Sequence, residues 1–91
     1  MVTLKKVESY FQITAKAIEL AEKSGNRTDL VEQRKDFLDM IKRYFSDAKH
    51  FKEKNDFVNA FAALNYAHGW LDAGARLGMF DVHDSNLFTV D

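Results

Sequence analysis

The sequence has no cysteine and no proline, only four glycines, and almost no excess of charge of either sign. Each shortage removes something. Without cysteine there is no disulfide frame, no thiolate zinc site and no cysteine nucleophile, and the chain suits a reducing cytoplasm. Thirteen basic residues stand against fourteen acidic ones, a net charge of −1. A sequence-independent grip on nucleic acid or anionic membrane needs a strong basic excess, so nucleic acid ranks low among partners. Long hydrophobic runs are missing too. No segment approaches the roughly 20 apolar residues of a membrane span. Met1 to Glu8 lacks the apolar core of about 7–15 residues that a secretory signal needs. No membrane is expected, and the expected location is the cytoplasm.

What is present is helical periodicity. Ninety-one residues suit one domain covering 1–91, and at this size only about 60–65% of the unfolded surface is buried, so the core must be used fully. Leu4, Val7, Phe11, Thr14, Ile18 and Ala21 follow a three–four spacing, widened by Tyr10, Ile13, Ala17 and Leu20. This predicts a helix over about 3–23, with Thr3 as N-cap. Ser24-Gly25-Asn26 should stop it, Gly25 supplying a left-handed residue. A second helix, about 29–54, has the seam Leu30, Arg34, Phe37, Ile41, Tyr44, Ala48 and Phe51. Thr28 or Asp29 would cap it. Arg34 breaks the seam, its long stem free to lie along an apolar edge. Lys49, Lys52 and Lys54 crowd the final turns, where cations complement the helix dipole. Asp56 should cap a third helix, 57–78, ended by Gly78. The last residues, 79–91, lose the periodicity and form a short non-helical tail, either laid on the bundle or frayed. Short connections make successive helices antiparallel neighbours, so the expected fold is an all-α, up-down-up three-helix bundle.

Charge is distributed unevenly. Residues 1–56 hold 22 of the 27 charged side chains, whereas 57–78 hold only Asp72 and Arg76. Projected at 100° per residue, the third helix carries two apolar stripes. One is Phe57, Phe61, Leu64, His68, Leu71 and Ala75. The other, on nearly the opposite side, is Asn59, Ala62, Ala63, Tyr66, Trp70, Ala73 and Leu77. Between them runs a thin polar edge of Asn65, Gly69, Asp72 and Arg76. A helix apolar most of the way round is usually buried most of the way round. Three coverings are open to the second stripe: the tail, a second copy of the chain as a homodimer, or another protein. Its candidate interface residues are Asn59, Tyr66, Trp70, Ala73 and Leu77, of which Tyr66 and Trp70 are typical interface anchors.

Catalytic signals are thin. The sequence has no Ser-x-Gly elbow, no HExxH and no metal-binding loop. Asp47/His50 and His68/Asp72 are spaced to share a helix face, but such pairs arise readily in a charged helical chain. His68 lies on an apolar stripe, where a hydrogen-bonded histidine is commoner than a metal ligand. Arg43/His50 and Arg76/His83 have the Arg-x6-His spacing of HEPN ribonucleases, a match that any chain with several Arg and three His can supply. With no nucleophile–base pair and no closed metal set, no catalytic residue, cofactor or metal is assigned, and an activity of its own ranks last. The expected role is a non-enzymatic interaction or self-association module working through the third helix. The alternative is an accessory domain that binds a small ligand or nucleic acid. It would use the polar edge Asn65, His68, Asp72 and Arg76, or the basic end Lys42, Arg43, Lys49, Lys52 and Lys54.

One stretch is familiar as a whole. Tyr44-Phe45-Ser46-Asp47-Ala48-Lys49-His50-Phe51, followed by Asp56 through Gly74 (DFVNAFAALNYAHGWLDAG), resembles the small family known as domain of unknown function number 357. The resemblance extends from about residue 28 to 82. It implies a three-helix bundle of the spectrin-like or albumin-binding-domain-like kind and an archaeal, cytoplasmic source. It implies no activity, substrate or cofactor.

Overall fold

In the computed structural model, which describes residues 1–89, the chain forms three helices: α1 (Leu4–Lys23), α2 (Val31–Glu53) and α3 (Phe57–Leu77). Two of the expected caps are in place. The Thr3 hydroxyl accepts from the Lys6 N–H at 3.2 Å, and the Asp56 carboxylate accepts from the Asn59 N–H at 3.2 Å. Each satisfies a donor that the first helical turn leaves without a partner. Gly78 closes α3 with φ of 87°, a left-handed conformation, and the Met79 N–H turns back to the Gly74 carbonyl at 2.9 Å. Near the end of α1, Lys23 donates to Glu19 at 2.9 Å. That hydrogen bond, with the lysine's charge, holds the glutamate carboxyl below its ordinary range.

The α1–α2 connection departs from expectation. Gly25 does not take a positive φ; the chain leaves α1 at Ser24 in an extended conformation. Neither Thr28 nor Asp29 caps α2, whose N-cap is Leu30 with no side-chain bond to the helix. Local chemistry uses these polar residues differently. Asn26 Oδ1 accepts from the Thr28 N–H and hydroxyl, and Thr28 Oγ1 accepts from the Leu30 N–H. The side chains build a tight polar turn before the helix instead of capping it.

Arg34 organises this end of the molecule. Its guanidinium donates to the carbonyls of Ala21 (3.1 Å), Ser24 (2.8 Å) and Gly25 (3.1 Å), and also to those of Glu22 and Met79. One cation of α2 thereby bonds two carbonyls in the last turn of α1, Ala21 and Glu22, and two just beyond it, with Ser24 adding its own N–H and hydroxyl to the Ala21 carbonyl. The same guanidinium carbon lies 5.4 Å from the Phe80 ring centre. Around it, the Arg27 N–H donates to the Gly78 carbonyl and the Asp81 N–H to the Gly25 carbonyl. The connection after α1 and the turn after α3 are stitched together.

α3 is the hub. Its backbone lies close to both α2 and α1, whereas α1 and α2 meet mainly through long side chains such as Phe11 and Phe45, whose rings are 5.3 Å apart. This explains the missing charge on α3, because a helix with two neighbours has two faces to bury. Leu64, Leu71 and Ala75 fill one face, Ala60, Ala63, Ala67 and Gly74 the next, and all are buried. The small residues let α3 and α2 approach closely. Gly74 goes further: a Cβ there would stand 2.3 Å from the Phe80 ring, which is fully buried against the helix at that point.

The tail does not fray as far as Thr89. Met79, Phe80, Val82, Leu87 and Phe88 are all buried, and four of them join Ile18, Ala21, Ile41 and Leu71 in the larger core cluster. The last two residues of the expected tail, 90–91, lie outside the described residues.

Candidate functional site: an open apolar groove on α3

Where the tail lands decides which stripe of α3 stays open. It packs on the His68 side. His68 Nε2 donates to the Leu87 carbonyl, which leaves Nδ1 to accept from the Thr14 hydroxyl at 3.4 Å. One turn on, the Asp72 carboxylate accepts from the Thr89 N–H at 2.9 Å and lies 4.0 Å from His68 Nε2. Two members of the polar edge therefore hold the C-terminal segment in place. Asn65 and Arg76, the other two, are exposed. Asp72 and Arg76 do not form the surface pair that their spacing allows, because Asp72 is turned toward the tail.

The second stripe stays largely uncovered. Asn59, Ala62, Tyr66, Ala73 and Leu77 are exposed, with Tyr66 at 62% and Leu77 at 57%. Ala63 is buried. Trp70 is half-buried, its ring 4.8 Å edge-on from Phe37 of α2. Tyr66 stacks on Tyr44 of α2 at 5.1 Å. Between these aromatic pairs lies a shallow groove of about 560 Å³, lined by Phe37, Asn65, Tyr66, Gly69, Trp70 and Ala73. Asn65 is the only polar side chain in that lining, apart from the tyrosine hydroxyl and the indole N–H. Of the interface residues expected from the sequence, Tyr66, Trp70 and Ala73 line the groove, Leu77 extends its face, and Asn59 serves the α3 cap by donating to Asp56 at 2.7 Å.

Phe37 and Gly69 were not among those candidates. Phe37 belongs to the apolar seam of α2, and only the packing shows that it lies at the edge of the bundle. Gly69 falls on the polar edge in projection, and a Cβ there would meet nothing within 4 Å.

The basic end offers little free charge. Lys42 pairs with Glu22 at 3.0 Å, Arg43 with Asp39 at 3.0 Å, and Lys52 approaches Glu8 at 4.0 Å. Lys49 and Lys52 also lay their ammonium groups over the rings of Phe45 and Phe11. The lysine stems cover apolar surface between α1 and α2. Among the described residues no three His, Asp or Glu side chains gather as a metal site. No helix of the described residues is long and apolar enough to cross a membrane.

The model of a family described as a protein of unknown function, DUF357, matches residues 9–80. The chain belongs to this family. Neither the curated proteins nor the solved structures contain a match to it. Membership in DUF357 brings no activity with it. The site has to be read from its own geometry.

Proposed function

We propose that this member of DUF357 is a non-enzymatic protein–protein interaction or self-association module whose working surface is the exposed face of α3. The observation that carries the reading is the groove of Phe37, Tyr66, Gly69, Trp70 and Ala73: aromatic, uncharged and open, on a molecule otherwise densely charged. Exposed apolar surface of this kind is retained where a partner covers it, and Tyr and Trp are the side chains that most often anchor such contacts. The alternative, ligand or nucleic-acid binding by the polar edge or the basic end, has less to support it. His68 and Asp72 are occupied by the tail, and Lys42, Arg43 and Lys52 have carboxylate partners.

Gly69→Glu is the probe. Its Cβ points into open space, so a charge can be placed in the groove without disturbing the fold. The expected result is unchanged helicity, with loss of whatever associates with immobilised wild-type protein, be it another copy or another protein. Equal retention by both forms would sink the reading. Salt-sensitive binding of RNA to wild-type protein would favour the alternative.

A further inference from the structure

We infer that the occupant of this face is a second copy of the chain, with the two α3 helices antiparallel about a two-fold axis that passes between Ala67 and His68. The inference rests on the interaction reading above and gives it a partner and a register.

The exposed face of α3 has a four–three repeat of its own: Ala62, Tyr66, Gly69, Ala73, Arg76. This is the spacing with which helices interlock at a shallow angle. In an antiparallel pair about that axis, residue numbers facing one another sum to 135. Tyr66, the large side chain of the row, then faces Gly69 of the other copy, the one position without a side chain. Ala62 faces Ala73, so the backbones can approach closely at both ends of the seam. Val58, 67% exposed, faces Leu77, 57% exposed. Large meets small at the centre, and apolar meets apolar at the ends.

The charges match in the same register. Arg76 is the strip's one cation, and among the described residues it has no ion-pair partner. It falls opposite Asn59, whose carboxamide is bonded to the Asp56 carboxylate at 2.7 Å. Each guanidinium thus meets the acidic cap of the other helix. A charged partner would have to bury its charges against a strip that offers almost none in return, whereas a second copy brings the same neutral surface. Gly69 supports the choice independently. Glycine inside a helix weakens it, and no neighbour in the monomer needs the missing Cβ.

The chain has no cysteine, so introduced cysteines report the register directly. Under mild oxidation the double variant Ala62→Cys/Ala73→Cys should give a covalent dimer. Each single variant should give none. In this register a residue at 62 or 73 lies about 16 Å along the axis from its own copy, beyond disulfide reach. Light scattering should show wild-type protein as a dimer, and Gly69→Glu should raise the dissociation constant at least about tenfold with unchanged circular dichroism. A dimer that cross-links through the single variants, or not at all, would overturn the register and leave the interaction reading standing. Monomeric wild-type protein at several hundred micromolar would overturn the second copy as occupant. The broader reading would fall only if Gly69→Glu also retained every partner that wild-type protein retains.

Discussion

Two glycines on the same helix are used in opposite ways. At Gly74 the Phe80 ring occupies the place of a Cβ, so Gly74→Ala forces that buried ring to move and should cost about 1–3 kcal/mol. At Gly69 nothing is near, so Gly69→Ala should stabilise the isolated fold by about 0.5–1 kcal/mol through helix propensity. Urea midpoints of the two variants should therefore move in opposite directions. Arg34 is the other residue whose role is set by its surroundings. Arg34→Met keeps an apolar stem but abandons the carbonyls at the end of α1, and should cost about 3 kcal/mol, read from the same midpoints. Arg34 is visible in the sequence only as an interruption of an apolar seam. Its acceptors are main-chain carbonyls, which every residue possesses, so no pattern of side chains could have announced them.

At the scale of elements, the helices were legible because their signals are local. Thr3, Asp56 and Gly78 act within a few residues of themselves, and the three–four spacing needs only the chain's own geometry. The start of α2 was not legible. Thr28 had a choice between capping the helix and joining Asn26 in the turn before it, and the stitching of that connection to the turn after α3 favours the turn. The two stripes drawn on α3 were also incomplete. Ala60, Ala67 and Gly74 fall in neither, yet all three are buried, because small residues give a weak hydrophobic signal while making close helix contacts possible. The tail is an element in its own right despite lacking regular structure. Ending the chain at His83 removes the burial of Leu87 and Phe88 and the bonds to His68 and Asp72. The expected loss is about 3–5 kcal/mol, measured by chemical denaturation, with most of the helical circular dichroism retained.

At the scale of the whole molecule, the near-neutral composition conceals an ordered separation. Two charged helices flank an almost uncharged one, and that helix spends two of its faces on its neighbours. What remains exposed is the narrow strip through Ala62, Tyr66, Gly69 and Ala73. Pairing of two such strips makes association depend on concentration, so the thermal midpoint of wild-type protein should rise with protein concentration while that of Gly69→Glu should not. Differential scanning calorimetry over a hundredfold range of concentration measures this.

By itself the sequence determined three amphipathic helices, two of their caps, the glycine stop of α3 and the absence of charge along that helix. All of these follow from short-range geometry and composition. Tertiary structure alone decided which apolar stripe stays open. Periodicity says which residues share a face but not what lies against it. The answer depended on a tail without periodicity, held by Phe80 against a bare glycine and by His68 and Asp72 through main-chain groups. Those contacts turn the tail toward α1 and leave the Tyr66–Ala73 face to the solvent.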